Sequence, residues 1–201
     1  MKKINALFAL LFIAGAVSAQ TTWNLDKSHS SVGFSVSHMV VSEATGKFND
    51  FAVKVVSKTA DFDGAEVEFT AKTASVDTDN ERRDGHLKSP DFFDAEKFPD
   101  ITFKGILSKA AGKYQLKGKL TMKDVTKDVA FDVTYGGTLD TGKGVKAGFK
   151  LSGKINRQDY GVKFASKLSD GSAVVGDEVE VIAKLELNKE VPAAPAAAEK
   201  K

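Results

Sequence analysis

The sequence predicts an all-β protein, built as an antiparallel up-and-down barrel of about eight strands with one short helical or loop insertion around residues 77–100. Three observations predict it. Apolar and polar residues alternate with period two from Trp23 to Leu187, the pattern of antiparallel strands with one buried face. Turn sequences such as DFDGAE, KAAGKY and SDGSA separate the alternating stretches. Only the segment around 77–100 lacks this alternation over a long stretch.

Nine strand candidates follow one another along the chain. Each places apolar residues on one face and polar residues on the other, so each is expected to have one wet face. In chain order they are WNL (23–25), SSVGFSVSHMV (30–40), FAVKVV (51–56), EVEFTAK (66–72), ITFKGIL (101–107), KYQLKGKLTM (113–122), DVAFDVTYGG (128–137), VKAGFKLSGKI (145–155) and DEVEVIAKLEL (177–187).

Many strands with short turns form either a sandwich or an up-and-down barrel, and two features favour the barrel. Several candidates have about ten residues, which is about 33 Å of strand. The inward faces also mix phenylalanine with small residues, namely Gly105, Gly118, Ala147, Gly153 and Ala183. Small inward residues leave room for a ligand in a barrel of this size, or they relieve curvature at strand bends. The spacing alone does not decide between these two roles.

The two ends of the chain lie outside this pattern. Residues 1–19 have a basic start, an apolar run and small residues ending at Ala19, which predicts a signal peptide removed before Gln20 and a periplasmic or secreted protein. A retained membrane anchor is the alternative; after cleavage we expect no membrane span. Residues 190–201 are rich in proline and alanine, which predicts a disordered tail. The barrel domain is therefore assigned to residues 20–189.

The composition excludes several kinds of partner and anchor. The chain has 29 basic and 27 acidic residues, and removal of Lys2 and Lys3 with the leader makes the remainder formally neutral. A neutral chain argues against nucleic acid as a partner, because that ligand requires clustered positive charge. Cysteine is absent, so neither disulfides nor a lipid-modified cysteine can contribute.

Several segments resemble the YceI-like family. WNLDKSHSSVGFSVSHMVVSEATGKF (23–48) resembles its opening and ERRDGHLKSPDFFDAEKFPDITF (81–103) its central signature. GKLTMKDVTKDVAFDV, INRQDYGV and VVGDEVEVIAKLEL resemble its later blocks, in the same order. The similarity spans about 22–188. The chain departs from the family at Asp124, where glycine is usual, and at Asp128, where proline is frequent. We therefore expect the turn before the strand around Phe131 to differ in shape.

The resemblance implies a lipocalin-like barrel with a long apolar lumen. It also implies a polyisoprenoid, an isoprenoid quinone or a similar long-chain amphiphile as ligand, with no cofactor, no metal and no established catalytic residue. We therefore expect an exported carrier or sequestering protein rather than an enzyme, and a homodimer is possible. The residues expected to line the lumen are Phe34, Val36, His38, Phe69, Phe103, Leu116, Leu120, Phe131 and Phe149.

The charged residues of the central signature are candidates for contacts at the barrel mouth. Arg83 and Asp84 could hold a polar or anionic head group, because the guanidinium fork donates two hydrogen bonds at once. Alternatively, Arg83 pairs with Asp84 or His86 and pins the loop to the rim. Arg157 is expected to pair with Asp159 or with a carboxylate of the 81–94 loop, or to reach a ligand head group.

The same segment carries three phenylalanines within seven residues: Phe92, Phe93 and Phe98. Three such rings cannot all stay in water without creating an exposed apolar patch. We expect at least two of them to be buried and the group to act as a lid over one end of the lumen. Whether they contact ligand or only the core is left open.

The three histidines raise the question of a metal, which the sequence does not support. There is no HExxH and no cysteine, and His29 and His38 lie nine residues apart. His38 falls on the inward face, either as a buried neutral side chain or as a polar contact for the ligand. His29 is expected to tie the Asp26–Ser30 segment to the end of the barrel.

Two other classes of protein are weighed against the carrier. One is an enzyme acting on an isoprenoid or lipid through Arg83, Asp84 and His86. The sequence has no GxSxG motif, and no pair of carboxylates is distinguished for glycoside cleavage. The other is an adhesion-type sandwich with a solid core, for which no internal void would exist.

Overall fold

The computed structural model describes residues 20–191. The predicted leader, residues 1–19, lies outside the described residues, as does most of the predicted tail. The strands are β1 (Thr21–Leu25), β2 (Ser31–His38), β3 (Ser42–Phe48), β4 (Phe51–Ser57), β5 (Ala65–Lys72), β6 (Val76–Asp77), β7 (Asp100–Ala110), β8 (Lys113–Met122), β9 (Val125–Asp140), β10 (Val145–Asn156) and β11 (Val175–Lys189). The helices are α1 (Glu81–Lys88) and the 3-10 turns Lys27–His29, Thr73–Ser75 and Arg157–Tyr160.

All eleven strands belong to one closed antiparallel sheet of eight positions. The first three positions each contain two strands in line, β1 with β2, β3 with β4, and β5 with β6, because the same neighbours continue across each break. From β7 to β11 each strand pairs with the next. The sheet closes because β11 pairs with both β1 and β2. The prediction of an all-β up-and-down barrel of about eight strands is confirmed.

The three breaks lie side by side across the sheet. The backbone of Lys72 donates to the carbonyl of Asp50 at 2.8 Å, and that of Asn49 donates to Ser75 at 3.0 Å. Lys27 also reaches Asp50, with Nζ 3.3 Å from Oδ1. We call this line of contacts the seam; it separates the β2–β3–β6 half of one flank from the β1–β4–β5 half.

The sequence prediction missed two strands, β3 and β6. β6 has only two residues. β3 reads SEATGKF, and its inward positions are Ala44, Gly46 and Phe48, so the apolar signal is weak. Gly46 faces inward because a Cβ there would lie 2.5 Å from the ring of Phe34 and 2.8 Å from the methyl of Thr78. Close packing leaves no space for a side chain at Gly46, so the strand lacks the apolar residue that would have identified it in the sequence.

The predicted insertion around 77–100 contains the single α-helix of the described residues. Asn80 caps α1, with its side chain accepting from the Arg83 backbone at 3.0 Å. Acidic residues lie in the first turn and basic residues in the last, which suits the helix dipole. Among the described residues, no helix combines the length and the apolar character needed to cross a membrane.

The inward glycines make room for aromatic rings rather than for empty space. Gly105 and Gly118 are paired across β7 and β8, and a Cβ on either would lie 2.5–2.7 Å from the ring of Phe103. A Cβ on Gly153 would lie 2.6 Å from the ring of Phe131. At these three positions the glycines therefore let two large rings lie against the barrel wall, a role different from the two that the spacing left open.

Candidate functional site

The interior of the barrel is hollow along part of its length. It contains a cavity of about 380 Å³ whose lining is mainly apolar, a volume within the range of small-molecule sites. Lining residues on β11 run from Val175 to Leu185, about 33 Å measured along the strand. The cavity is therefore elongated, and a solid-core sandwich is ruled out.

Most residues predicted for the lumen do lie on the wall of this cavity. They are Phe34, Val36, His38, Phe69, Phe103, Leu116, Leu120 and Phe131. The wall also includes residues that the prediction omitted although they follow the same alternation: Val53, Val67, Ile101, Leu151, Val179, Val181 and Leu185. Whether these side chains bind a ligand is a prediction that geometry alone does not test.

Phe149 was predicted to line the lumen but lies outside the cavity wall. Its ring packs edge-on to Phe62 at 5.0 Å and stacks on Tyr135 at 5.1 Å. Phe62 also contacts Trp23 at 4.9 Å and is completely buried. These four rings form the closed end of the barrel. Phe149 does point inward, but at a level where Phe62 fills the interior.

The opposite end is the mouth, where α1 and the segment 157–174 cover the cavity. The rings of Phe92 and Phe164 stack at 4.8 Å, and His86 lies edge-on to both, at 5.0 and 5.2 Å. Phe93 packs against Phe48 at 5.9 Å. All five line the cavity, which places Phe92, Phe93 and His86 at the mouth; that they contact a ligand stays a prediction. No alternation marks Phe164, and the sequence prediction missed it.

Arg83 and Asp84 converge on one buried residue, Thr78. Arg83 donates from Nε to Thr78 Oγ1 and from an Nη to the Thr78 carbonyl, both at 2.8 Å. Asp84 accepts from the backbone N–H of Thr78 at 2.9 Å and from its hydroxyl at 2.5 Å. These bonds pin the start of the insertion to the rim. Arg83 therefore has the structural role considered as the alternative to ligand binding, but it acts through Thr78 rather than through a direct pair with Asp84 or His86.

The two members of this clamp differ in access to ligand. Arg83 lines the cavity, and with Asn80, Arg82 and His86 it also lines a shallow depression beside the mouth. Asp84 lies on neither lining, which corrects its placement as a mouth residue facing ligand. His86 also contacts Asp91, with Nε2 2.9 Å from Oδ2.

Phe98 was predicted as part of the lid but lies outside the cavity wall. Its ring is half-buried, with Lys97 Nζ 5.0 Å and Lys123 Nζ 5.8 Å from the ring centroid. Its carbonyl accepts from the Thr73 hydroxyl at 2.7 Å. Phe98 therefore fastens the end of the insertion to the break between β5 and β6.

Arg157 is a buried cation on the cavity wall, with 6% of its surface exposed. It donates to the carbonyls of Val162 at 2.7 Å, Gly176 at 2.8 Å and Val175 at 3.3 Å, and to Asp177 Oδ1 at 3.0 Å. Burial lowers the pKa of the guanidinium, opposed by the charge of Asp177. The predicted partners, Asp159 and the 81–94 loop, were wrong; Arg157 instead holds both ends of the mouth segment together.

One cluster of potential metal ligands occurs among the described residues: Asp26, His29 and Glu186. The ammonium of Lys146 already lies within it, 2.9 Å from Asp26 Oδ2 and 2.5 Å from Glu186 Oε1. Hydrogen bonds, first to Ser28 and then to Lys146, lower the pKa of Asp26. The cluster ties the break between β1 and β2 to β10 and β11, and His29 contributes to this tie through Asp26.

The turn at the departure from the family pattern has an unusual backbone. Lys123 and Asp124 join β8 to β9 and both have positive φ, 49° and 59°. Glycine adopts this conformation most easily, and aspartate tolerates it better than most residues. Asp124 therefore occupies a left-handed position, where the resemblance to the family implies that glycine is usual.

Comparison with known proteins identifies the family. Residues 23–187 match the model of the YceI-like domain. The UPF0312 protein SAS2572 of Staphylococcus aureus (strain MSSA476) is 35% identical over 171 residues, 84% of this chain and 98% of that protein. The YCEI protein of Campylobacter jejuni is 33% identical, with a TM-score of 0.66 over 83% of this chain and 97% of that one.

A more distant structure shares the fold. The polyisoprenoid binding domain from Saccharophagus degradans is 16% identical, with a TM-score of 0.60 over 84% of this chain and 98% of that one. At this identity the likeness concerns the fold alone. Taken with the match over residues 23–187, the eight-position barrel and its hollow interior lead to one conclusion: the chain belongs to the YceI-like family.

Proposed function

We propose that the protein binds one long apolar chain, of an isoprenoid or a similar amphiphilic lipid, inside the barrel. The observation that carries the proposal is the elongated cavity of about 380 Å³, closed at one end and lined mainly by apolar side chains. Such a space favours a slender hydrocarbon over water, because burial of apolar surface yields about 25 cal/mol per Å². The isoprenoid class is supported by the relative from Saccharophagus degradans, which is named a polyisoprenoid binding domain.

The polar end of the ligand belongs at the mouth in this proposal. The polar side chains on the cavity wall are His38, Thr78, Arg83, His86 and Arg157. They belong to the mouth end of β2 and to the elements that cover the mouth, and none of them lies at the closed end. A few polar groups at one end of an apolar site fix the orientation of a ligand.

We further propose that the protein is exported and acts as a carrier or sequestering protein. The predicted signal peptide at residues 1–19 supports export. A binding role is supported because holding a hydrocarbon chain requires no reaction. An insoluble chain requires a protein cover to pass through water, and the barrel interior provides that cover.

Obstruction of the lumen tests the proposal. Val181 lies on the cavity wall, and the next residue on the same strand, Ile182, faces outward and is 38% exposed. We expect V181W to remove co-purified lipid, measured by native mass spectrometry and by organic extraction, while I182W keeps it. Purified wild-type protein that carries no lipid from its native host and binds no added isoprenoid would contradict the proposal.

Substitution of His86 distinguishes a binding protein from an enzyme that acts on the lipid. If the protein only binds its cargo, H86A should retain the extracted lipid unchanged in amount and in chemical form. If Arg83, Asp84 and His86 act on the lipid, the wild-type protein should convert the extracted compound over time and H86A should not. The structure favours binding, because Asp84 lies outside the cavity wall and is hydrogen-bonded to Thr78.

A further inference from the structure

The turn between β2 and β3 exposes three consecutive apolar side chains. Met39 is 40% exposed, Val40 72% and Val41 88%. The described residues include four other exposed large apolar side chains, but each occurs singly; they are Ile106, Leu139, Ile182 and Val191. We call residues 39–41 the apolar tip. Single exposed apolar residues need no explanation, whereas a contiguous group indicates contact with another apolar surface.

The backbone of the apolar tip is strained in a way that a simple connection would avoid. Met39 and Val40 both have positive φ, 51° and 65°. Asparagine and glycine are the usual residues in such turns, and a β-branched residue there is an outlier. The turn between β8 and β9 has the same signs of φ but uses Lys123 and Asp124. Strain of this kind points to a function for the side chains that it displays.

The apolar tip is held firmly and lies at the mouth. Its flanking residues His38 and Ser42 are paired in the sheet, and the backbone N–H of Met39 donates to the carbonyl of Val174 at 2.9 Å. His38, Ala44 and Val174 all line the cavity. The tip therefore extends from the mouth, the end of the barrel at which loops cover the cavity.

We propose that the apolar tip inserts into the surface of a lipid bilayer and brings the mouth against the membrane. The reason for this contact rests on the proposed function, because a membrane is where an insoluble apolar chain is stored. A protein partner is a poorer fit. A stable protein interface takes about 20–30 residues from each side, and the tip offers three. Shallow insertion into lipid requires no matching surface, so a patch of three side chains fits this contact better than a protein interface.

Insertion is measured directly with tryptophan placed in the tip. The sequence has one tryptophan, Trp23, which is buried at the closed end and serves as an internal reference. We expect vesicles of brominated phosphatidylcholine to quench the fluorescence of V40W at least twofold more than that of L139W. Leu139 is 66% exposed and lies where β9 ends, away from the mouth. Equal quenching of the two variants would overturn the proposal.

Loading is measured with cis-parinaric acid, a fluorescent long-chain probe, supplied in phosphatidylcholine vesicles. The variant M39N/V40G/V41S should take up the probe at least tenfold more slowly than wild type, while L139S takes it up at the wild-type rate. The tip variant keeps a favourable turn sequence, so a melting temperature at or above that of wild type excludes misfolding. An unchanged rate of uptake in the tip variant would contradict the proposal.

The two proposals fail in different ways. Probe delivered from ethanol bypasses the membrane, so its binding reports on the cavity alone. If wild type does not bind the probe delivered in this way, the proposed function fails, and the quenching of V40W still decides whether the tip enters lipid. If sedimentation shows that the tip instead joins two copies of the chain, and the tip variant is monomeric, membrane insertion is overturned.

Discussion

Both ends of the barrel are covered by aromatic rings, but different parts of the chain supply them. At the closed end, Trp23, Tyr135 and Phe149 come from strands and surround the single loop residue Phe62. At the mouth, Phe92 and Phe164 come from two segments outside the strands. Rings on strands are fixed by the hydrogen bonds of the sheet, whereas rings on loops depend on side-chain contacts and open more easily. The comparison teaches that the floor is held mainly by strands of the sheet, whereas the cover is held by contacts between segments outside the strands.

The floor should carry the largest stability effect. F62A removes a completely buried ring that contacts three others, and we expect a loss of about 3–5 kcal/mol in the free energy of unfolding. The matched change at the mouth is F164A, which removes a half-buried ring and should be less destabilising by at least about 1 kcal/mol. Urea denaturation measures both. Equal losses would contradict the assignment of Phe62 to a more tightly packed end than Phe164.

The second largest loss of stability is expected from substitution of Arg157, the polar anchor of the mouth. R157A removes the donor of three carbonyls and one of the two donors to Asp177 Oδ1, the other being Gln158 Nε2, and we expect a loss of about 3 kcal/mol. R157K keeps the charge but cannot reach all four acceptors, so most of the loss should persist. Hydrogen exchange of residues 157–177 locates the effect. If exchange rises equally throughout the barrel, Arg157 supports the whole fold rather than the mouth.

The third effect appears at alkaline pH. Burial raises the pKa of Tyr160, near the mouth, to about 12, above a value of about 10 in the unfolded chain. A group whose pKa is raised by folding contributes stability below its unfolded pKa and loses it as pH rises toward the folded value. Wild type should therefore lose about 2–3 kcal/mol relative to Y160F between pH 10 and 12. Parallel pH curves for the two proteins would contradict the assignment to Tyr160.

The smallest effect is a gain. M39N/V40G replaces two left-handed residues of the apolar tip with residues that accept that conformation, and we expect about 1 kcal/mol of added stability. The corresponding change K123N/D124G between β8 and β9 should add less, because aspartate already tolerates the conformation. Thermal melting of both variants makes the comparison. Stability lost in M39N/V40G would show that the tip is packed rather than displayed.

The alternation of the sequence predicts the barrel well on β7 to β11, where most inward residues are large, and fails on β3, where Gly46 leaves space for the ring of Phe34. The alternation also predicts that a residue faces the inside of the barrel, but it does not predict the position of that residue along the barrel axis. Phe149 was therefore correctly predicted to face inward but wrongly predicted to reach the lumen.

The contacts at both ends could not be predicted, because they join residues that no local pattern connects. Phe62 lies in DFDG, which was interpreted only as a turn, yet it fills the floor. Thr78 shows no motif, yet it organises Arg83 and Asp84. Asp177 is twenty residues from Arg157, and the antiparallel pairing of β10 with β11, which sets Asn156 opposite Glu178, brings them together.

The seam has a mechanical consequence for the size of the opening. Three neighbouring positions of the sheet change strand at the same level, and the backbone bonds of Lys72 and Asn49 run along this line between neighbouring positions rather than across it. The half of that flank nearest the mouth, including the apolar tip, is one block of paired β2, β3 and β6. The block stays joined to the rest of the barrel by the ladder between β2 and β11, so a slight tilt about that ladder would bend only the connections at the seam. Ligands of different width could then enter the same barrel without the loss of any strand pairing.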